Sequence, residues 1–287
     1  MNQLQSKPKF SIAIQTDTYK KLINNTLGDP KRANKFIASI SSAVATNPQL
    51  QKCDAGSILS GALLGEALNL SPSPQLGQFF LVPYDKKQKI NGEWVVVESN
   101  AQFQLGYKGY IQLAIRSGQY KDIDVIDVRE GEYLGRDKIT GKHQFEFIEN
   151  EVERENKPII GYMAYFEYLN GFYKNIYWSK EKMQKHALEY SQAYASDVKK
   201  GTTYSFWSKD FNGMAFKTML RQLISKWGVM SVEIQEAITK DMSVVKEDGS
   251  YDYVDNQPTI STPTVEEINN EVKEEKTEIK QVNINEI

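Results

Sequence analysis

Between Lys199 and Lys226 the chain carries six basic side chains against one acid, interleaved with Tyr204, Phe206, Trp207, Phe211 and Phe216. On a helix Gly213, Lys217 and Arg221 fall four apart and stack in one line, with Lys209 before them and Lys226 beyond. A cationic ridge beside a glycine results, and the glycine leaves room for an approaching backbone. The chemistry open to such a ridge is binding rather than bond-making. Cations draw phosphates through counterion release, and neighbouring rings stack on bases whatever their sequence. The same letters also fit a solvated helix face above a core built from those rings.

Residues for covalent chemistry are sparse. Gly135 to His143 misses a phosphate-binding loop by one residue, and His143 stands where the hydroxyl belongs, so this segment reads as a turn. No GxSxG, HExxH, paired CxxC or dinucleotide fingerprint occurs. Cys53 and two histidines cannot supply four ligands for structural zinc. Asp122, Asp124 and Asp127 are the candidates for a metal-dependent nuclease, yet on a strand Asp127 points away from the other two, Asp197 falls at a helix end, and solvated acids at a strand entrance account for the same letters. No metal, cofactor or catalytic residue is expected.

The elements that must position the ridge follow from periodicity and stop signals. Helices are predicted over 31–46 and 54–70, ended by Asn47-Pro48 and by Ser71-Pro72-Ser73-Pro74, with Asp54 as N-cap. The second is rich in glycine (Gly56, Gly61, Gly65), which suits close backbone packing. Strands follow from Gly77, with a lysine-rich turn DKKQKINGE that places Lys86, Lys87 and Lys89 at an exposed tip. A short helix from Gly106 to Ser117 puts Tyr107, Tyr110, Ile111 and Ala114 on one face and Lys108, Gln112 and Arg116 on another. Strands are predicted over 121–129 and 143–148. In GYMAYFEYLNGFYKNIYW, Asn170-Gly171 predicts a two-residue type I′ turn, pairing Tyr168 with Tyr173, Glu167 with Lys174 and Tyr165 with Ile176. A helix capped by Ser179 is predicted to run to about Ser196, an unbroken one from Phe206 to Lys226, and a last one over 231–240. The fold class is α+β, a small antiparallel sheet with hairpins flanked by helices.

Charge divides the 287 residues unevenly. Residues 241–287 carry 12 acids and 4 lysines, a balance of -8, which leaves +6 on residues 1–240. A basic body suits an anionic partner, and an acidic tail of low apolar content reads as disordered, with a docking or autoinhibitory role. The first 30 residues read as a loosely held segment with at most one short helix. A single cysteine points to the reducing cytoplasm, and no apolar run is long enough for a membrane span.

Several uncommon words then recur in order: Asn47-Pro48-Gln49-Leu50, Leu81-Val82-Pro83-Tyr84, the run from Ala101 to Tyr110, Gly118-Gln119-Tyr120, and the pattern from Trp207 through Asp210, Phe211, Met214, Ala215, Lys217, Thr218 and Arg221 to Lys226-Trp227-Gly228. Over roughly 30–240 the chain resembles the RecT family of phage and prophage single-strand annealing proteins. The resemblance implies a single-strand annealing type of core, ATP-independent binding of single-stranded DNA, pairing of complementary strands into an annealed duplex, assembly of copies into rings or helical filaments, and a partner exonuclease or host single-strand binding protein. It divides the chain into an N-terminal segment (1–30) able to serve as an oligomer contact, a DNA-binding and annealing domain (31–240) and an acidic tail (241–287). The family's GYKG word lands on Gly106–Gly109 and its basic helix on Lys217, Arg221 and Lys226. The DNA-binding set is then Tyr107, Lys108, Arg116, Lys121, Trp207, Lys209, Phe211, Lys217, Arg221 and Lys226, with bases facing outward. A passive coating protein and a nuclease are the alternatives.

Overall fold

The computed structural model describes residues 9–90, 92–246 and 251–253. Helices come first: α1 (Phe10–Ala13), α2 (Asp17–Leu27), α3 (Pro30–Ala45) and α4 (Ala55–Ala67). The expectation of at most one short helix before Lys31 is corrected, because two stand there. Phe10, Ile14 and Ile23 are buried together with Phe36 and Ile40 of α3 and Ile58 and Leu59 of α4, so the few apolar residues of this polar segment converge on one core. Asp29 accepts from the Lys31 N–H at 3.0 Å and Pro30 takes the first helical position, which starts α3 sharply. Asp54 caps α4 by accepting from the Ser57 N–H at 3.1 Å.

The strands β1 (Phe79–Ile90) and β2 (Glu93–Leu105) form one long antiparallel hairpin, paired from Phe79 opposite Leu105 to Ile90 opposite Glu93 with a one-residue register shift between Lys86 and Lys87. The lysine-rich turn is therefore corrected to strand: Lys86 faces Glu98 and Lys89 faces Trp94, cross-strand pairs that extend the ladder. The outer half of β2 is exposed, whereas Ala101–Leu105 is buried. Here the glycines of α4 find their reason. A Cβ at Gly61 would lie 2.8 Å from Leu81, and one at Gly65 would lie 2.3 Å from the Phe79 ring.

Helix α5 (Tyr107–Arg116) leads to β3 (Tyr120–Arg129), β4 (Tyr133–Arg136), β5 (His143–Phe145), α6 (Glu151–Asn156), β6 (Ile159–Tyr168) and β7 (Tyr173–Ser179). Strands β3, β6 and β7 form an antiparallel sheet, and β4 pairs with β5. In the β6–β7 hairpin Glu167 faces Tyr173, Phe166 faces Lys174 and Ala164 faces Ile176, one residue off the expected register. A type I′ turn needs positive φ at both central residues, and only Gly171 has it (φ 81°). The Tyr168 N–H donates to the Phe172 carbonyl at 2.9 Å, closing a three-residue loop. Glu167 consequently pairs with Lys121 at 2.7 Å rather than with Lys174.

The remaining elements are α7 (Lys180–Tyr190), α8 (Gln192–Lys200), α9 (Phe206–Lys209), α10 (Phe211–Trp227), α11 (Val232–Lys240), β8 (Ser243–Val245) and β9 (Tyr251–Tyr253). Two expected helices are each broken once. Ser191 ends α7 and accepts from the Tyr194 N–H at 3.2 Å to start α8, and Asp210 accepts from the Gly213 N–H at 2.9 Å to separate α10 from α9. Beyond α11 the expected boundary after Lys240 is corrected. Asp241 is 1% exposed, Met242 takes a left-handed turn (φ 66°), and Ser243 pairs with Phe103, adding β8 to β2. The sheet order becomes β1-β2-β8-β9. Its inner end and the β3-β6-β7 sheet share one core with α5, α7, α10 and α11, in which Phe79, Phe103, Tyr110, Tyr162, Phe166 and Met219 are fully buried. The fold is α+β, as expected; the tail from 254 onward lies outside the described residues.

Candidate nucleic-acid interface

A cleft of about 620 Å³ opens between the buried half of the β1–β2 hairpin and the α8–α9 turn. Its hairpin wall carries Tyr84, Gln102 and Gln104; its helical wall carries Lys200, Tyr204, Phe206 and Lys209. The strand period decides which β2 residues face it. Ala101, Phe103 and Leu105 enter the core, so Gln102 and Gln104 fall on the opposite side of the strand. The Gln104 amide donates to Gln102 Oε1 at 2.7 Å, and the Gln102 amide donates to the Met242 carbonyl, so both side chains are oriented.

The helical wall is built around one carboxylate. Gly201 ends α8 in the left-handed region (φ 65°), which turns the chain back over Asp197. Asp197 accepts from Thr202 Oγ1 at 2.6 Å, the Ser205 N–H at 2.7 Å and Ser208 Oγ at 2.7 Å. These donors hold its carboxyl far below the usual carboxylate range, Thr202 most of all, against the opposing effect of burial. Ser205 then caps α9 by accepting from the Ser208 N–H at 3.1 Å. Trp207 is anchored at 5% exposure, while Tyr204 (78%) and Phe206 (40%) are turned outward. Lys209 Nζ lies 5.9 Å from the Phe206 ring centre. The wall therefore presents open rings next to exposed cations, with its one acid satisfied internally.

Of the ten residues expected to bind, the cleft gathers Trp207 and Lys209, and Phe211 packs at its back with rings 5.1 Å from Trp207 and 6.3 Å from Tyr194. Lys217 is the main correction. It is 6% exposed, and its ammonium donates to Asp241 Oδ1 at 2.9 Å, with Arg221 3.5 Å from the other oxygen of the same carboxylate. Burial pushes the Lys217 pKa down, and Asp241 works against that shift. Asp241 also accepts from the Leu105 N–H at 2.8 Å and from Tyr110 at 3.3 Å, so this cluster joins α10, α5 and β2 inside the protein. Gly213 does not admit an external backbone either: a Cβ there would sit 2.3 Å from Asp210, the cap of its own helix.

The others disperse. Arg116 donates to the carbonyls of Leu68 at 2.8 Å and Asn69 at 3.2 Å, just past the end of α4, and Lys121 pairs with Glu167. Lys226 and Lys174 both lie over the Trp227 ring, at 5.5 and 4.4 Å. Tyr107 packs edge-on against Phe216 at 5.6 Å, and Trp207 is likewise core rather than an open platform. The GYKG glycines are explained by packing, since a Cβ at Gly106 or Gly109 would come within 2.1 Å of the Gly77 or Gln78 carbonyl. Lys108, between them, is exposed. Asp127, one of the three acids weighed as metal ligands, is engaged by Arg129 at 2.6 Å and Arg154 at 3.7 Å.

Sequence reading missed Gln102, Gln104, Lys200 and Tyr84, and passed over Tyr204 and Phe206 when choosing site residues. A signal existed for the glutamines. Two amides at alternate positions of a strand whose other face is apolar mark a polar surface that the fold must satisfy or use.

Comparison with known proteins agrees with the expected family. The sequence matches the RecT family over residues 34–278, well past the expected end of the resemblance at 240. It is 38% identical over 274 residues to the uncharacterized protein YqaK of Bacillus subtilis (strain 168), covering 90% of this chain and 86% of that protein. It is 28% identical over 215 residues to Protein RecT of Escherichia coli (strain K12), covering 73% of this chain and 71% of that one. With a match across most of its length, the chain belongs to the RecT family.

Proposed function

We propose that this protein binds single-stranded DNA without a nucleotide cofactor and pairs complementary strands in phage-type recombination, making and breaking no covalent bond. Family membership supports the broad assignment to recombination and annealing. The observation that carries the finer reading is the cleft, where exposed Tyr204 and Phe206 stand beside Lys200 and Lys209. Cations there neutralise phosphates, open rings receive bases, and pairing with a second strand supplies the free energy. Because one cleft spans few nucleotides, copies of the chain act together along a strand. The β1–β2 arm supports that assembly: Trp94 (69% exposed), Val95, Val96 and Val97 stand apolar in solvent on its outer half. A partner exonuclease or host single-strand binding protein completes the proposal. Among the described residues no helix is long and apolar enough to cross a membrane.

The test is a strand-pairing assay with labelled complementary oligonucleotides, no nucleotide present, across a salt series. Pairing faster than the spontaneous rate is expected, with affinity falling as salt rises. Lys200→Gln and Lys209→Gln should each flatten the log–log slope by about 0.7. Slower pairing would instead identify a passive coating protein, and shortened strands in magnesium a nuclease.

A further inference from the structure

We infer that the cleft between β2 and the α8–α9 turn is a pocket for one unpaired nucleotide, its base turned into the protein rather than outward. This rests on the single-strand reading above and adds to it a site and an orientation.

The hairpin wall carries the inference. A surface that met only phosphates would need cations, yet this wall sets two buried carboxamides, Gln102 and Gln104, beside apolar Val82 and Met242. With one N–H given to Gln102, Gln104 retains a second N–H and its carbonyl oxygen, an adjacent donor and acceptor. That pair matches the edge of a nucleobase, where donor and acceptor also stand side by side, and any of the four bases can meet it in one of its orientations. The helical wall agrees with it. Tyr204 and Phe206 offer flat faces, and Lys200 and Lys209 are placed to take the flanking phosphates. At about 620 Å³ the cleft lies within the roughly 300–1,000 Å³ usual for sites that enclose a small ligand.

Other occupants fit less well. An apolar peptide would leave the Gln104 amide unpaired, which costs affinity. An acidic peptide would satisfy the lysines but not the exposed rings. The loop that carries Tyr204 is braced from within, because Asp197 ties Thr202, Ser205 and Ser208 together and so holds the turn on both sides of the tyrosine. An inward base is withheld from pairing while it is bound, and it sets the register of the strand on each copy of the protein.

Permanganate reactivity of bound oligo(dT), read together with photocrosslinking from 4-thiothymidine, tests this on the full-length protein. A fraction of the thymines should be protected, and crosslinks should fall on peptides containing residues 101–105 and 204–207. Gln104→Leu should lose about tenfold in affinity and the protected fraction. Tyr204→Ala, at an exposed position where folding is not at stake, should do likewise, and Tyr204→Phe should restore both. Uniform thymine reactivity with unchanged salt-dependent binding in Gln104→Leu and Tyr204→Ala would overturn the pocket and leave the single-strand reading standing. Failure of wild-type protein to retain oligo(dT) in low salt would overturn that reading itself.

Discussion

Lys217 and Lys209 are eight positions apart and do opposite work. Lys217 is buried against Asp241, so Lys217→Met leaves a carboxylate under-compensated in the interior. The expected loss is about 3 kcal/mol in a urea titration, with the salt slope of DNA binding unchanged. Lys209→Gln should show the reverse, normal stability and a flatter slope. Asp197 makes a pH prediction. Its pKa is depressed in the folded state, so the stabilisation it supplies is present in full above the unfolded value of about 4 and drains away as the pH falls below it. Urea midpoints measured from pH 6 to pH 3 should decline less steeply in Asp197→Asn than in the wild type. Cys53 belongs at this scale too: burial raises its thiol to about 12, so thiol reagents should leave the native protein unmodified.

Among the elements, α4 and the β1–β2 hairpin depend on one another most directly. Gly65 lets the helix backbone lie against Phe79, which is fully buried and has no space to retreat. Gly65→Ala improves helix propensity yet is expected to destabilise by about 1–3 kcal/mol through overpacking, measurable as a lowered denaturation midpoint. The α8–α9 turn is the other element with functional weight. Its left-handed Gly201, its hub at Asp197 and its cap at Ser205 are all local to residues 197–208, which explains how a short loop can hold an exposed tyrosine in one place.

For the whole molecule, the outer half of the β1–β2 arm is the feature that the fold of a single copy does not account for. Six ladder residues of arm extend roughly 20 Å at the strand rise, bearing Trp94 and three valines in solvent. If this surface joins copies into rings or filaments, Trp94→Glu should shift the protein toward smaller species in sedimentation velocity. The melting temperature at dilution should not change, since Trp94 touches no core.

The amino-acid sequence by itself determined the fold class, most element positions and the family, because these rest on short-range physics. Asp29-Pro30, Asp54, Ser179 and Ser231 cap helices through their own neighbours, and the apolar period marks what lies between. Tertiary structure alone decided which cations remain at the surface. Nothing near Lys217 in the chain announces that Asp241 returns 24 residues later to bury it, nor that Arg116 is turned toward the end of α4. The register of the β6–β7 hairpin was not legible either, since Asn-Gly serves two-residue and three-residue loops alike and the packed chain closes the three-residue one, in which Phe166 rather than Glu167 faces Lys174. Helix periodicity says which side chains share a face; only the packed chain says whether that face meets water or another part of the protein.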